Sequence, residues 1–126
     1  MTGVQTCALP IFAGGRDFND YDRLCAFMDQ YCLDSGFGPD NTDFISGAAR
    51  GADRLGELWA TSRGYKVVLF PAQWDIHGKA AGYIRNKAMA DEATALVAWW
   101  DGKSRGTAHM ISAMSGRGHS IHVERY

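Results

Sequence analysis

Glycine-bearing turns hold the residues of this chain that are best suited to bind an anion. The longest turn, segment 46–53, reads SGAARGAD and lies between the apolar strand candidate Asp43–Ser46 and an amphipathic helix. Glycine lets a backbone approach an anion closely, and unpaired N–H groups at a helix start point toward it. The turn therefore predicts a phosphate cradle, to which Arg50 adds charge-assisted hydrogen bonds. The alternative is that Gly47 and Gly51 only make the turn and let the helix pack closely.

Two shorter turns and one arginine extend this pattern. Segment 14–17 reads GGRD and follows the first strand candidate, whereas segment 104–107 reads SRGT and follows the fourth. Arg85 lies in the first half of the third helix, and its planar guanidinium suits a phosphate group. Its alternative role is a surface ion pair with Asp91 or Glu92.

Several other polar and aromatic residues have two readings each. Asp53 either complements the dipole of the second helix or bonds a ribose hydroxyl or orients an arginine. Ser104 either caps the fourth helix or forms part of a second anion cradle. Trp74, in the irregular segment 71–79, either stacks on a base or covers the core. His119 and His122 point to opposite faces of a strand, so no metal site is predicted there.

Strands and helices alternate along the chain, which predicts a parallel sheet with helices on both faces. The fold class is therefore α/β: a single Rossmann-like, doubly wound, mainly parallel five-stranded sheet. Val67 to Phe70 and the fourth strand are continuously apolar, as expected of strands buried on both faces. Leu58 and Trp59 are expected on the buried face of the second helix. The predicted strands are 7–13, 43–46, 65–70, 95–100 and 120–124, and the helices are 20–33, 50–63, 80–92 and 105–115.

The rim of such a sheet is where ligands bind, beyond the carboxyl ends of the strands. The glycine turns after strands one, two and four meet there with the loop after strand three. The chain has neither the Gly-x-Gly-x-x-Gly fingerprint nor the Walker lysine motif. Standard dehydrogenases and P-loop nucleotidases are thereby excluded.

The net charge, the cysteines and the apolar runs of the chain indicate which classes of protein it can belong to. The 126 residues carry a net charge of −1, which disfavours a grip on the nucleic-acid backbone. Cys7, Cys25 and Cys32 form no Cys-x-x-Cys motif, so we expect reduced thiols and a cytoplasmic protein. Cys25 and Cys32 share one helix face and are expected to pack in the core. No apolar run approaches the roughly 20 residues that cross a bilayer.

The first residues do not fit the rest of the pattern. Pro10 falls within the first strand candidate, where it would remove a hydrogen bond of the sheet. We therefore set residues 1–11 apart as a non-native or irregular extension, and residues 12–126 form the predicted nucleotide-binding domain.

Four motifs together resemble the SLOG superfamily, in particular its YspA-like branch, which is related to the LOG phosphoribohydrolases and the DNA-processing A proteins. They read GGRDF at 14–18, SGAARGAD at 46–53, AGYIRN at 81–86 and SRGT at 104–107. The resemblance extends from residue 12 to the end of the sequence. It implies a Rossmann-like fold that binds nucleotides or nucleotide-derived ligands, and it favours a ligand role for Arg16 over a solvated charge.

The resemblance also bears on catalysis. LOG enzymes use an arginine on the third helix, which Arg85 matches, and a glutamate after their Gly-Thr turn. Met110 stands where that glutamate is expected. Without a carboxylate, cleavage of a glycosidic bond lacks its acid–base group. His109 is the alternative base, but we assign no catalytic residue.

The turns and the resemblance together predict one composite pocket. Its expected residues are Gly14, Gly15, Arg16, Asp17, Ser46, Gly47, Ala48, Arg50, Gly51, Asp53, Trp74, Arg85, Asn86, Ser104, Arg105, Gly106 and Thr107. We expect non-catalytic binding of an ADP-ribose-like, NAD-derived or cyclic nucleotide, as a sensor or a phage-type sponge in signalling or bacterial immunity. No cofactor, metal or membrane partner is expected. The resemblance leaves a homo-oligomer open, a dimer or higher, because relatives are often dimers, but the sequence does not fix the oligomeric state. The alternatives are a nucleotide hydrolase of phosphoribohydrolase type and a module that handles single-stranded DNA.

Overall fold

Within residues 8–126, five strands form one sheet in which every neighbouring pair is parallel. They are β1 (Pro10–Gly14), β2 (Asp43–Ser46), β3 (Lys66–Leu69), β4 (Ala95–Trp100) and β5 (Ser120–Arg125). Their spatial order is β3-β2-β1-β4-β5. This arrangement confirms the predicted Rossmann-like α/β fold, with a sheet that is wholly rather than mainly parallel.

The computed structural model describes residues 8–126. The predictions made for residues 1–7, Cys7 among them, lie outside this range. Pro10 is the first residue of β1, a position at which a strand tolerates a missing N–H. Ile11 is completely buried, and Ala8 forms a parallel bridge with Thr42. The sheet therefore includes the last residues of the segment that the sequence sets apart.

In the described part of the chain, five helices connect the strands. They are α1 (Tyr21–Ser35), α2 (Ala52–Ser62), α3 (Trp74–His77), α4 (Ala81–Glu92) and α5 (Arg105–Met114), and a 3₁₀ turn, Gly78–Ala80, leads into α4. Asp20 caps α1, because its carboxylate accepts a hydrogen bond from the amide of Arg23 at 3.0 Å. Segment 71–79, expected to be irregular, instead contains α3 and most of the 3₁₀ turn.

The core has two parts, one on each face of the sheet. Phe12, Phe44, Trp59 and Trp99 pack with α1 and α2 on one face. Ile11, Ile45, Leu96, Met110 and Met114 pack with α4 and α5 on the other. Cys32 is buried in the first part and Cys25 packs against it, as expected for core residues. The helices thus cover both faces, which is the doubly wound arrangement.

Two predictions of burial were wrong. β3 is an edge strand rather than a buried one, and Val68 and Leu69 are 41% and 53% exposed. An apolar run does not reveal whether a strand has neighbours on both sides. Leu58 is 53% exposed, because α2 turns Gly56, Trp59 and Ala60 inward instead.

Candidate functional site

The order of the strands creates a crevice at one edge of the sheet. β2 and β3 lie on one side of β1, whereas β4 and β5 lie on the other. The connections that leave β1 and β4 therefore run to opposite faces and diverge. A cavity of about 830 Å³ opens at this point, within the size range of small-molecule sites.

The cavity collects most of the predicted residues. Those that line it are Gly14, Gly15, Arg16, Asp17, Arg50, Asp53, Trp74, Arg85, Asn86, Ser104, Gly106 and Thr107. A second cavity of about 620 Å³ adjoins it and adds Gly47 and Ala48. Ser46, Gly51 and Arg105 line neither cavity. Four segments far apart in sequence thus converge at the predicted rim.

The peptide groups of the turn after β2 are held by the protein's own oxygens. The Ser46 hydroxyl donates to Glu57 at 2.6 Å and accepts from the amide of Ala48 at 3.2 Å. The Asp53 carboxylate accepts from the amides of Gly47 and Ala49. The part of the turn that faces the larger cavity is therefore Ala49 and Arg50 rather than the expected N–H cradle.

Arg85 holds the same turn from the other side. Its Nη1 donates to the carbonyl of Gly47 and, at 3.4 Å, to the carbonyl of Phe70, the residue that follows β3. Its Nε donates to Asn86 Oδ1 at 3.0 Å. The alternative ion pair with Asp91 is not formed, since Asp91 pairs with Arg117 at 2.9 Å. Arg85 is thus fixed at the wall of both cavities.

Burial dominates the electrostatics of Asp53. The residue is only 6% exposed, and desolvation raises the pKa of its carboxyl to about 7, against the effect of the two turn amides and of Arg85. Burial also lowers the pKa of Arg85, which nearby Asp53 opposes. At the cavity wall there is therefore a carboxyl group that exchanges its proton near neutral pH.

Asn86 connects the start of α4 with the turn after β4. It is 5% exposed, and its Nδ2 lies 3.2 Å from both the Gly106 carbonyl and His109 Nδ1. Because Asn86 Oδ1 accepts from Arg85, the amide nitrogen must be the donor and His109 Nδ1 the acceptor. His109 also packs on Tyr83, with ring centroids 4.5 Å apart, and does not line either cavity.

The turn after β4 presents the start of α5 to the larger cavity. Asp101 Oδ1 accepts from the amides of Lys103 and Ser104, both at 2.8 Å, and these bonds lower the pKa of Asp101. Ser104 occupies the N-cap position as expected, but its Oγ lies 3.2 Å from Thr107 Oγ1 and caps no amide. The positive end of α5 therefore lacks a side-chain cap.

Close packing shapes the turn after β1. The Tyr126 hydroxyl donates to Asp17 Oδ1 at 2.6 Å and lies where a side chain on Gly15 would project. Gly51 has a φ of 80°, and an added Cβ would lie 2.6 Å from the Arg16 carbonyl carbon. Gly51 thus shapes the site by letting two turns touch.

Trp74 is half exposed beside both cavities and does not cover the core. Sequence reasoning missed Lys79, Tyr83 and Asp101, which also line the larger cavity. Asp101 directly follows β4, so it could have been predicted from the rule that ligands bind beyond the carboxyl ends of the strands. Lys79 lies in the 3₁₀ turn before α4 and Tyr83 in the first turn of α4, so neither directly follows a strand.

Two absences apply to residues 8–126. No three His, Cys, Asp or Glu side chains come together there as a metal site. Within the same range, no helix has the length and apolar character needed to cross a membrane.

The sequence profile of the YspA, cpYpsA-related SLOG family matches residues 11–77. The chain belongs to this family. The predicted SLOG membership is thereby confirmed, and it implies a nucleotide-related function. The match covers the turns after β1 and β2 but ends before Arg85, Asn86 and segment 104–107, whose assignment rests on the geometry above.

A phage protein is a further relative. The chain is similar to the Gene 61 protein of Mycobacterium phage D29, with 39% identity over 73 residues, which is 53% of this chain and 58% of that protein. The chain thus spans less than two thirds of the length of this relative. No solved structure matches the chain.

Proposed function

We propose that the protein binds a nucleotide-derived small molecule in the crevice between β1 and β4 and does not convert it. The ligand is ADP-ribose-like, NAD-derived or a cyclic nucleotide, and the protein acts as a sensor or a sponge for it. No separate cofactor is required. The observation that carries this proposal is the cavity of about 830 Å³ at the reversal of strand order, with Arg85 fixed in its wall.

The lining offers a partner for each part of a nucleotide. Guanidinium groups of Arg16, Arg50 and Arg85 suit phosphate oxygens. The Asp101 carboxylate and the Thr107 hydroxyl suit sugar hydroxyls. The half-exposed rings of Trp74 and Tyr83 offer faces on which a base can stack.

Binding without turnover is supported by the residue at position 110. Met110 lines the cavity, is 1% exposed and packs in the core, and a thioether neither donates nor accepts a proton at neutral pH. His109 does not replace it, because its Nδ1 already accepts from Asn86.

The test is calorimetric titration with AMP, ADP, ADP-ribose, NAD and cyclic AMP, followed by chromatography of the recovered ligand. We expect at least one compound to bind one-to-one and to be recovered unchanged. Arg85→Ala is expected to weaken binding at least tenfold, since a charge-assisted hydrogen bond is lost. Arg85→Lys keeps the positive charge but loses the planar guanidinium, so its affinity for the ligand should lie between those of the wild type and Arg85→Ala.

Arg117→Ala is the matched control, because Arg117 pairs with Asp91 away from both cavities. It should leave the affinity unchanged. Affinity that survives Arg85→Ala in a folded protein would remove Arg85 from the site, and no heat with any of the five compounds would contradict the proposal.

One observation favours a second candidate, hydrolysis of the same ligand. Asp53 lines the cavity and has a pKa raised to about 7 by burial, which is the range of a general acid or base. Release of free base or ribose phosphate during the titration, lost in Asp53→Asn, would establish this candidate. Recovery of intact ligand would exclude it.

A further inference from the structure

The second cavity differs from the first in its charge. It is lined by Arg16, Arg50, Arg85 and Trp74 and by residues of the segments after β2 and β3; we call it the arginine basin. Within the described residues no carboxylate lines it, whereas Asp17, Asp53 and Asp101 all line the larger cavity. Positive charge is thus concentrated on one side of the composite site.

Two cations of the basin, Arg16 and Arg50, have no carboxylate partner among the described residues, whereas Asp53 lies near Arg85. Within residues 8–126, the side chains of Arg16 and Arg50 form no hydrogen bond or ion pair, and both residues are exposed. Burial lowers the pKa of Arg85, Asp53 opposes this effect, and the nearby charge of Arg16 adds to it. Three like charges that share one cavity repel one another, and a bound anion would relieve this repulsion.

The Arg85 guanidinium has room for such an anion. Its Nη1 and Nε are occupied by Gly47, Phe70 and Asn86, whereas Nη2 makes no hydrogen bond within the described residues. These contacts fix the orientation of the fork, so little side-chain entropy remains to be lost when a ligand binds.

We infer that the arginine basin binds a phosphate chain of at least two phosphoryl groups that continues from a nucleoside in the larger cavity. The inference rests on the proposed function, because it assigns one part of the same ligand. Three guanidinium groups match the charge and the many oxygens of a diphosphate better than the single charge of a carboxylate. Arg16, Arg50, Arg85, Ala49 and Trp74 line both cavities, so one ligand can occupy them together.

The experiment compares inorganic pyrophosphate, ADP and AMP by calorimetry at fixed ionic strength. The test variant is the double substitution Arg16→Ala with Arg50→Ala. The control variant is Arg63→Ala with Arg117→Ala, which removes the same charge from two exposed ion pairs, with Asp29 and Asp91, outside the cavities. Circular dichroism confirms that both variants are folded.

We expect the wild type and the control to bind pyrophosphate, and to bind ADP at least tenfold more tightly than AMP. The test variant should lose pyrophosphate binding and should bind ADP no better than AMP. Equal affinity for ADP and AMP, unchanged in the test variant, would overturn the basin and leave the proposed function standing. In another outcome, the wild type and the control bind pyrophosphate, the test variant does not, and neither ADP nor AMP binds. That outcome would support an anion site in the basin and contradict the proposed binding of a nucleotide. No binding of any of the three probes would overturn the basin, and the proposed function would also fall if ADP-ribose, NAD and cyclic AMP gave no binding.

Discussion

At the residue scale, the Asp53 carboxyl occupies the turn after β2 much as a bound anion would. It accepts from the amides of Gly47 and Ala49 and lies near Arg85, which holds the carbonyl of Gly47. The chain's own groups therefore hold this turn, in which Ala48 adopts a left-handed φ of 60°. Asp53 and Arg85 together keep Ala49 and Arg50 in place at the cavity.

The raised pKa of Asp53 predicts a pH-dependent stability. Its ordinary value is 3.8 and its folded value is about 7, so the native state holds this proton more tightly. Stability from this group is complete below about pH 4 and is lost as the pH rises through 7. Relative to Asp53→Asn, the wild type should lose up to about 1.4 kcal/mol per pH unit between these limits.

Urea denaturation of both proteins at pH 4.5, 6 and 8 measures this difference. Asn keeps an oxygen for the amide of Ala49, so the comparison isolates the charge. A constant difference in unfolding free energy across the three pH values would show that Asp53 titrates as an ordinary surface carboxyl.

Part of the residue-level picture is visible in the sequence, and part is not. Gly14 to Asp17 and Arg50 follow strands, so they are expected at the carboxyl edge of the sheet, where ligands bind. Arg85 lies within the first half of its helix and is singled out by its planar guanidinium and by the resemblance. The partners of Asn86 and Ser46 lie 20 and 11 residues away, at Gly106 and Glu57, and no local pattern encodes such hydrogen bonds.

At the element scale, the start of α2 is fitted tightly against the turn after β1. Gly51 precedes α2 with a positive φ, and the amide of Ala52 donates to the carbonyl of Gly15 at 3.2 Å. The positions of Arg16 and of α2 are therefore linked through this contact.

Gly51→Ala is expected to disturb both elements. The new methyl group would meet the backbone of Gly15 and Arg16, and the substitution should cost about 3 kcal/mol or more of stability. Ligand affinity should fall as well, because Arg16 is displaced. Thermal denaturation and calorimetry measure the two effects.

Gly36→Ala tests whether a positive φ alone accounts for this effect. Gly36 also has a left-handed φ, of 73°, but no atom lies within 4 Å of an added Cβ. This control should cost about 1 kcal/mol and leave the affinity unchanged. Equal losses in the two variants would show that the contact with Arg16 has no role.

The edge position of β3 predicts a contrast between two valines. Val68 in β3 is 41% exposed, whereas Val97 in β4 is completely buried. Val68→Thr should change stability by less than about 0.5 kcal/mol. Val97→Thr buries a hydroxyl and should cost about 1–3 kcal/mol. Chemical denaturation measures both, and a large loss at Val68 would mean that another surface covers β3.

At the scale of the whole molecule, the order of the strands brings the glycine-bearing turns together into one site. The alternation of elements predicts the parallel sheet, and the bounds of β2 and β4 are read correctly from their apolar runs. The order β3-β2-β1-β4-β5 depends on pairings between distant segments, which no local pattern contains. Because the strand order is not visible in the sequence, the sequence also could not show that β3 is an edge strand, and β3 was predicted to be buried.

A ligand that binds only the native state must stabilise it. At a concentration one hundred times its dissociation constant, the gain is about 2.7 kcal/mol. A nucleotide that occupies the crevice should therefore raise the midpoint of thermal unfolding of the wild type. The midpoint of Arg85→Ala should rise less at the same ligand concentration, and equal shifts would place the ligand elsewhere.

The most direct test of the central claim is to locate the bound ligand from changes in the NMR chemical shifts of the protein's backbone amides. During a titration with ADP-ribose, the account predicts that the shifts concentrate at Gly14 to Asp17, Ala49 and Arg50, Arg85 and Asn86, and Ser104 to Thr107. The amides of β3 and of the last turn of α1 should remain unshifted. Saturable shifts that leave these four segments unchanged, or no shifts at all, would contradict the account.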